Sequence, residues 1–147
     1  MRDSSRAVAL AVEGLKDYPG AITVDRGGGF GSGPLDALLE QGYNADGVHW
    51  GQAAENPAEY LNAKAEDFWN LREAMRKEEV AISPLGEYEE QAMEDLAGVY
   101  YESTATGKIK IEDKEKTKKR LHRSPDTGDA IVIGFRNPVT ANWISEI

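Results

Sequence analysis

The sequence lacks cysteine altogether and has only two histidines, His49 and His122. The first absence excludes disulfides, thiolate metal sites and a cysteine nucleophile. Two histidines are also too few for a multi-histidine zinc site. Any metal site would therefore be made of carboxylate oxygens, which suits Mg²⁺ or Mn²⁺.

Long apolar runs are missing as well. No stretch approaches the roughly 20 apolar residues that a membrane-spanning helix needs, and residues 1–6 lack the apolar segment of a signal peptide. With 147 residues, of which 40% are hydrophobic and 29% charged, the chain is long enough for one globular domain with a core. We expect a protein that is neither secreted nor bound to a membrane.

Positive charge is scarce overall but concentrated in one segment. The formal net charge is −9, which taken over the whole chain disfavours nucleic-acid binding. Residues 36–102 carry 16 acids and 4 bases, whereas residues 108–123 carry 8 bases and 3 acids. This basic segment is compatible either with phosphate binding at a single face or with a solvated, lysine-rich helix.

Helical and strand patterns alternate along the chain. Apolar spacing and end signals predict helices at 4–16, 34–41, 59–77, 87–98, 113–121 and 126–135, and strands at 21–24, 44–50, 79–83, 99–104 and 108–111. Such alternation predicts an α/β fold in which helices flank a mixed sheet.

Asp25 is the first candidate for chemistry. It directly follows a predicted buried strand and precedes a glycine-rich loop at residues 26–33. In open α/β sheets, binding sites collect at the carboxyl ends of strands, although an aspartate here is also a common turn initiator. The loop has neither a phosphate-loop lysine nor a dinucleotide-binding glycine pattern, so a nucleotide site is not indicated.

The second candidate is the segment 124–130, Ser-Pro-Asp-Thr-Gly-Asp-Ala. Ser124 is predicted as the N-cap of the last helix, with Pro125 at its first position. Asp126 and Asp129 then lie on one helical face. Two such carboxylates can share a divalent cation, or they can simply be acids favoured by the helix dipole.

Two further groups accompany these acids. Asn62 and Glu66 lie one helical turn apart and either serve a site or hydrogen-bond locally. The basic segment leads directly into the aspartates and supplies four candidate phosphate contacts: Lys114, Lys116, Arg120 and Arg123. Together, Asp25, Asp126 and Asp129 predict a phosphodiesterase site with two metal ions, although such a site usually needs a further acid.

Four segments, in order, resemble the C-terminal nuclease domain of the large terminase subunit of tailed bacteriophages. Residues 22–25 with the loop at 29–33 are similar to that family's strand, aspartate and glycine loop. Residues 62–69 resemble its N-x-x-A-E-x-x-W helix, residues 107–114 its strand before a basic helix, and residues 124–130 its S-P-D-x-x-D-A motif. The resemblance runs over about residues 4–135.

The resemblance implies a ribonuclease H-like fold over residues 1–136, followed by a tail at 137–147. It implies a metal-dependent endonuclease that cuts concatemeric viral DNA in the host cytoplasm with two Mg²⁺ or Mn²⁺ ions. Asp25 would be the second catalytic acid and Asp129 the third, with Asp126 as a neighbouring ligand. Double-stranded DNA, the terminase small subunit and the portal would be its partners.

One part of that family's pattern is missing. Its first catalytic aspartate lies on a strand before the helix that begins here near Ser4, and residues 1–6 cannot form this strand. We therefore expect a domain without its first strand or strands. A catalytically impaired module that only binds DNA or packaging proteins, and another nuclease of the same fold such as a junction resolvase, remain alternatives.

Overall fold

A computed structural model of the chain describes residues 4–17, 19–27 and 32–136. It contains two compact units, one with the elements up to residue 49 and the other with residues 50–135. Part of the glycine loop, at residues 28–31, and the predicted tail at 137–147 lie outside the described residues, so the expected boundary at residue 136 stays a prediction.

The first unit is a βαβ arrangement preceded by a helix. Helix α1 spans Ser4–Asp17, strand β1 Ile22–Asp25, helix α2 Ser32–Glu40 and strand β2 Ala45–Val48. The two strands are parallel, with Ile22 opposite Ala45 and Asp25 opposite Val48. The helix and strand predictions for this part of the chain are therefore confirmed within a few residues.

Close packing holds α2 against the parallel strands. Leu38 and Val48 are each 1% exposed. A Cβ atom on Gly47 of β2 would lie 2.7 Å from Leu35 and 2.3 Å from the Arg26 side chain, so a larger residue here would force these side chains to move.

The second unit contains four α-helices, a short 3-10 helix at Gly86–Tyr88 and a hairpin. Its elements are α3 at Ala63–Arg76, α4 at Glu89–Gly98, β3 at Tyr101–Ser103, β4 at Ile109–Ile111, α5 at Lys114–Leu121 and α6 at Asp126–Arg136. Strands β3 and β4 pair antiparallel, and Gly107, with a φ of 83°, turns the chain between them. Tyr60 forms an isolated parallel bridge to Ile109.

Apolar side chains of α3 and of the hairpin form a core in this unit. Ala54, Tyr60 and Ala65 are buried, and Trp69, Ile109 and Ile111 pack against them. Among the described helices, none is both long and apolar enough to cross a membrane.

The predicted strand at residues 79–83 is wrong. Residues 79–85 have no regular secondary structure, and Ile82 is 40% exposed. Glu78 and Gly86, which bracket this segment, both have positive φ angles that turn the chain. Helix α3 also begins four residues later than expected, because Asn62 caps it by accepting a hydrogen bond from the Ala65 amide at 3.0 Å.

A buried ion pair ties α5 to the hairpin. The Glu112 side chain is only 3% exposed and accepts two hydrogen bonds from Arg120, at 2.6 and 2.7 Å. The Thr117 hydroxyl and the Tyr100 amide also donate to it, at 2.8 and 3.1 Å. The bonds from Arg120 are the main reason why the pKa of Glu112 falls to about 2, against the opposing effect of burial.

We predict that Glu112→Gln destabilises the protein by roughly 3 kcal/mol at neutral pH, because it leaves a half-buried guanidinium without its charged partner. The folded-state pKa of Glu112 is depressed, so its contribution is complete above about pH 4.5 and is lost as pH falls towards 2. Urea unfolding of wild type and variant between pH 2 and 7 measures both effects.

Glu115→Gln is the matched control, because Glu115 lies on the same helix and its side chain is 83% exposed. It should change the free energy of unfolding by less than about 0.5 kcal/mol. Equal losses in the two variants would contradict the structural role assigned to Glu112.

Candidate metal centre

The first turn of α6 brings Asp126 and Asp129 to one place. Lys114 Nζ lies 3.8 Å from Asp126 Oδ1 and 3.6 Å from Asp129 Oδ2. The expected placement of the two acids on one helical face is thus present. Their environments differ, since the Asp126 side chain is 76% exposed and that of Asp129 only 13%.

Asp129 has a buried oxygen without a partner. Its Oδ1 is buried and has no hydrogen-bond partner among the described residues. Burial raises the pKa of Asp129 above its ordinary value, while the positive charges of Lys64 and Lys114 act in the opposite direction. A buried, unsatisfied carboxylate oxygen is costly, and a divalent cation is one group that satisfies it. The donor set therefore fits a hard cation such as Mg²⁺ or Mn²⁺.

The start of α6 is capped from another helix. Asp95 of α4, whose side chain is fully buried, accepts hydrogen bonds from the amides of Thr127 and Gly128 at 3.1 and 3.0 Å. The prediction that Ser124 caps the helix is wrong in this respect, because the Ser124 hydroxyl donates to Asp126 Oδ1 at 2.7 Å. A buried acid distant in sequence supplies the capping oxygen instead.

Gly128 allows that close approach. A Cβ atom on Gly128 would lie 2.6 Å from the Cβ of Asp95, so a side chain here would push α6 away from α4. The glycine of the 124–130 motif therefore allows α6 to pack closely against α4. This packing fixes the position of the two aspartates.

Asp25 is the last residue of β1, in the first unit, and is exposed. Its Oδ1 accepts a hydrogen bond from the Gly27 amide at 2.7 Å, which is the turn-initiating geometry that its position also suggested. The rest of the carboxylate remains accessible. Its predicted role as a metal ligand stays a prediction.

Most of the predicted phosphate contacts hold carboxylates of the protein itself. Lys116 pairs with Glu102 at 2.5 Å, Arg120 with Glu112, and Arg123 with the buried Asp95 and with Glu94. These contacts give the three residues structural roles. Whether any of them also binds phosphate stays a prediction.

Asn62 and Glu66 have separate structural tasks. Asn62 caps α3, and the Glu66 carboxylate accepts hydrogen bonds from the amides of Glu55 and Asn56 at 2.6 and 3.0 Å. Of the two alternatives for this pair, the structure supports local hydrogen bonding.

Lys64 is a charged neighbour of Asp129 that sequence reasoning missed. Its Nζ also lies 5.0 Å from the centre of the Trp50 ring, a cation–π arrangement. The one available signal was that Lys64 is the single base between residues 36 and 71.

Across residues 4–17, 19–27 and 32–136, no three histidine or acidic side chains are grouped closely enough to hold a metal ion by themselves. The second unit therefore contains part of a candidate site only: two carboxylates, one of them with a buried oxygen that has no hydrogen-bond partner in the described part of the chain, and two lysines.

The chain is similar to solved structures of one domain. The nuclease domain of the large terminase subunit gp2 of bacterial virus Sf6 matches with a TM-score of 0.72, 18% identity, 92% of this chain and 72% of that chain. A mutant of that domain with manganese matches at a TM-score of 0.70 with the same identity and coverage. A mutant with calcium matches at 0.70, covering 71% of that chain.

The chain has the fold of a terminase nuclease domain. The ribonuclease H-like α/β architecture expected from the sequence is confirmed by these matches. No protein-family model and no curated protein matches the chain.

We predict that Gly128→Ala lowers the free energy of unfolding by about 1–3 kcal/mol, because its Cβ would overlap Asp95. Gly134→Ala, in the same helix, is the control. A Cβ atom there meets nothing within 4 Å, so this variant should gain about 0.5–1 kcal/mol. Thermal or urea unfolding measures both, and a gain in both variants would refute the close packing at Gly128.

Proposed function

We propose that the chain is a metal-dependent DNA endonuclease domain of a phage packaging terminase, which cuts concatemeric viral DNA in the host cytoplasm. The fold supports this proposal, as do the similar domains whose structures were solved with manganese or calcium. The terminase small subunit and the portal are the proposed protein partners, and double-stranded DNA is the proposed substrate.

One observation carries the proposal. Asp129 Oδ1 is buried and unpartnered at the start of α6, beside Asp126 and within reach of the charges of two lysines. An acid that served only the helix dipole would be solvated or fully hydrogen-bonded. An oxygen kept buried without a donor is instead suited to a cation that the protein itself does not supply.

The proposed roles follow from exposure and charge. Asp129 is the main metal ligand, exposed Asp126 is a second ligand, and Asp25 is a proposed ligand from the end of β1. Two bound Mg²⁺ or Mn²⁺ ions would supply an activated water and stabilise the leaving oxygen of a phosphodiester. Lys114 compensates the charge of the aspartates while no metal is bound, and it can turn to a phosphate when metal replaces it.

Lys114, Lys116, Arg120 and Arg123 are the proposed DNA contacts. Lys114 is the best placed of them, since it adjoins the candidate metal ligands and lies more than 3.5 Å from both carboxylates. Lys116 is 54% exposed despite its pairing with Glu102. The two arginines would contribute chiefly by holding α5 and α6 in place.

A non-catalytic module that binds DNA or packaging proteins is the second candidate. The observation that favours it is that, within the described residues, no three acidic or histidine side chains lie close enough together to hold a metal ion. Such a module would keep the fold and the basic segment without turnover.

We predict that the protein nicks supercoiled plasmid in the presence of Mn²⁺, and that Asp129→Asn and Asp25→Asn each slow nicking by roughly 100-fold or more, because each removes a charged group from the reaction centre. Asp36→Asn, which changes an exposed acid of α2, is the control and should nick at the wild-type rate. Gel quantification of the nicked circle measures the rates.

Wild-type protein that binds DNA but never nicks it would favour the non-catalytic module. Nicking that persists at the wild-type rate in Asp129→Asn would contradict the role of Asp129 as the main metal ligand.

We also predict that Mn²⁺ raises the melting temperature of the wild-type protein by a few degrees at saturation, because the ion binds only the folded state. Asp129→Asn should abolish this shift without lowering the melting temperature of the metal-free protein, since it removes a buried charge. An unchanged Mn²⁺ shift in the variant would place the metal elsewhere.

A further inference from the structure

The second unit has an open cleft that the proposed metal centre does not use. Its volume is about 460 Å³, within the roughly 300–1,000 Å³ typical of sites for small ligands. Leu71, Leu96 and Ile111 form its inner surface, and Arg72, Tyr100 and Tyr101 lie at its exposed mouth.

Four aromatic residues line the cleft, at positions 68, 69, 100 and 101, and arginines stack on two of their rings. Trp69 and Tyr101 meet edge to face with ring centroids 5.0 Å apart. The Arg72 guanidinium lies 4.6 Å from the centre of the Trp69 ring, and that of Arg120 lies 3.7 Å from the centre of the Tyr100 ring. Tyr101 is 52% exposed, so part of its ring is open to a ligand.

The charge of the cleft is opposite to that of the chain. The protein has 26 acids and 17 bases, yet among the described residues that line the cleft none is acidic, and Arg72 is a cation. Beside it, Arg72 and Arg76 share the single carboxylate of Glu73, which leaves one positive charge in excess. An apolar cleft with a cationic rim complements a flat, apolar ring attached to a phosphate.

We propose that this cleft binds an unpaired nucleobase of single-stranded DNA, with the base stacked on Tyr101 and a neighbouring phosphate near Arg72. Stacking on exposed aromatic rings beside arginine is the general means by which proteins hold unpaired bases. The choice of DNA rests on the proposed nuclease function. An apolar peptide would fill the same volume but would not use the positive rim.

The test measures binding without cleavage. A fluorescein-labelled oligo-dT 12-mer and a matched duplex are titrated in EDTA, and fluorescence anisotropy gives both affinities. We expect Tyr101→Ala to weaken binding of the single strand at least fivefold, the lower end of the effect of losing one stacked base, and to change duplex binding less than twofold. Tyr101→Phe should retain wild-type affinity, since the ring remains.

Tyr88→Ala is the matched control, because Tyr88 is also exposed, at 54%, and does not line the cleft. It should leave both affinities unchanged. Melting temperatures of all variants show that each is folded. An equal loss in Tyr88→Ala, or wild-type affinity in Tyr101→Ala, would overturn the inference.

The outcome is independent of catalysis. Binding that depends on Tyr101 in a protein that never nicks plasmid would support this inference and oppose the endonuclease. Metal-dependent nicking without binding of the single strand would support the endonuclease and overturn this inference. If the wild type binds no single strand while an apolar dye enters the cleft in a manner that depends on Tyr101, the cleft is a protein-docking surface and the inference fails.

Discussion

The buried carboxylate of Asp95 is the interaction on which the second unit most depends. It accepts the first amides of α6, pairs with Arg123 and lies against Gly128. One side chain thereby fixes the position, direction and packing distance of the helix that carries Asp126 and Asp129. The hydrogen bonds of Asp95 are buried, where bonds to a charged acceptor are strong. They therefore hold the two aspartates in a defined position.

Electrostatics are managed locally in a chain that is acidic overall. Glu112 and Asp95 are buried, and each is paired with an arginine of the basic segment. These ion pairs hold α5 and α6 against the rest of the unit. Among the acids that the structure describes, Asp129 is the exception, because its Oδ1 is buried without a hydrogen-bond partner. Structural acids here are satisfied by the protein, and this contrast is what distinguishes Asp129 as a candidate ligand.

Local patterns predicted most helices, because apolar spacing and end signals are properties of short segments. The 124–130 segment was likewise identifiable, and the similarity to solved terminase nuclease domains confirms the fold that the resemblance implies. Contacts between distant segments were not predictable. Nothing in the sequence distinguishes Asp95 from the other acids of α4, because its capping of α6 depends on how the two helices pack. The strand expected at 79–83 failed because β-branched residues alone do not supply a partner strand, and Lys64 has no local signature.

We propose above that Asp129 Oδ1 is an open metal ligand. A crystal structure of the protein soaked in Mn²⁺, with anomalous data, tests it most directly. We expect an anomalous peak about 2.0–2.6 Å from Asp129 Oδ1, with Lys114 displaced from the carboxylates. A structure without such a peak, in which a protein donor satisfies Asp129 Oδ1 instead, would contradict it.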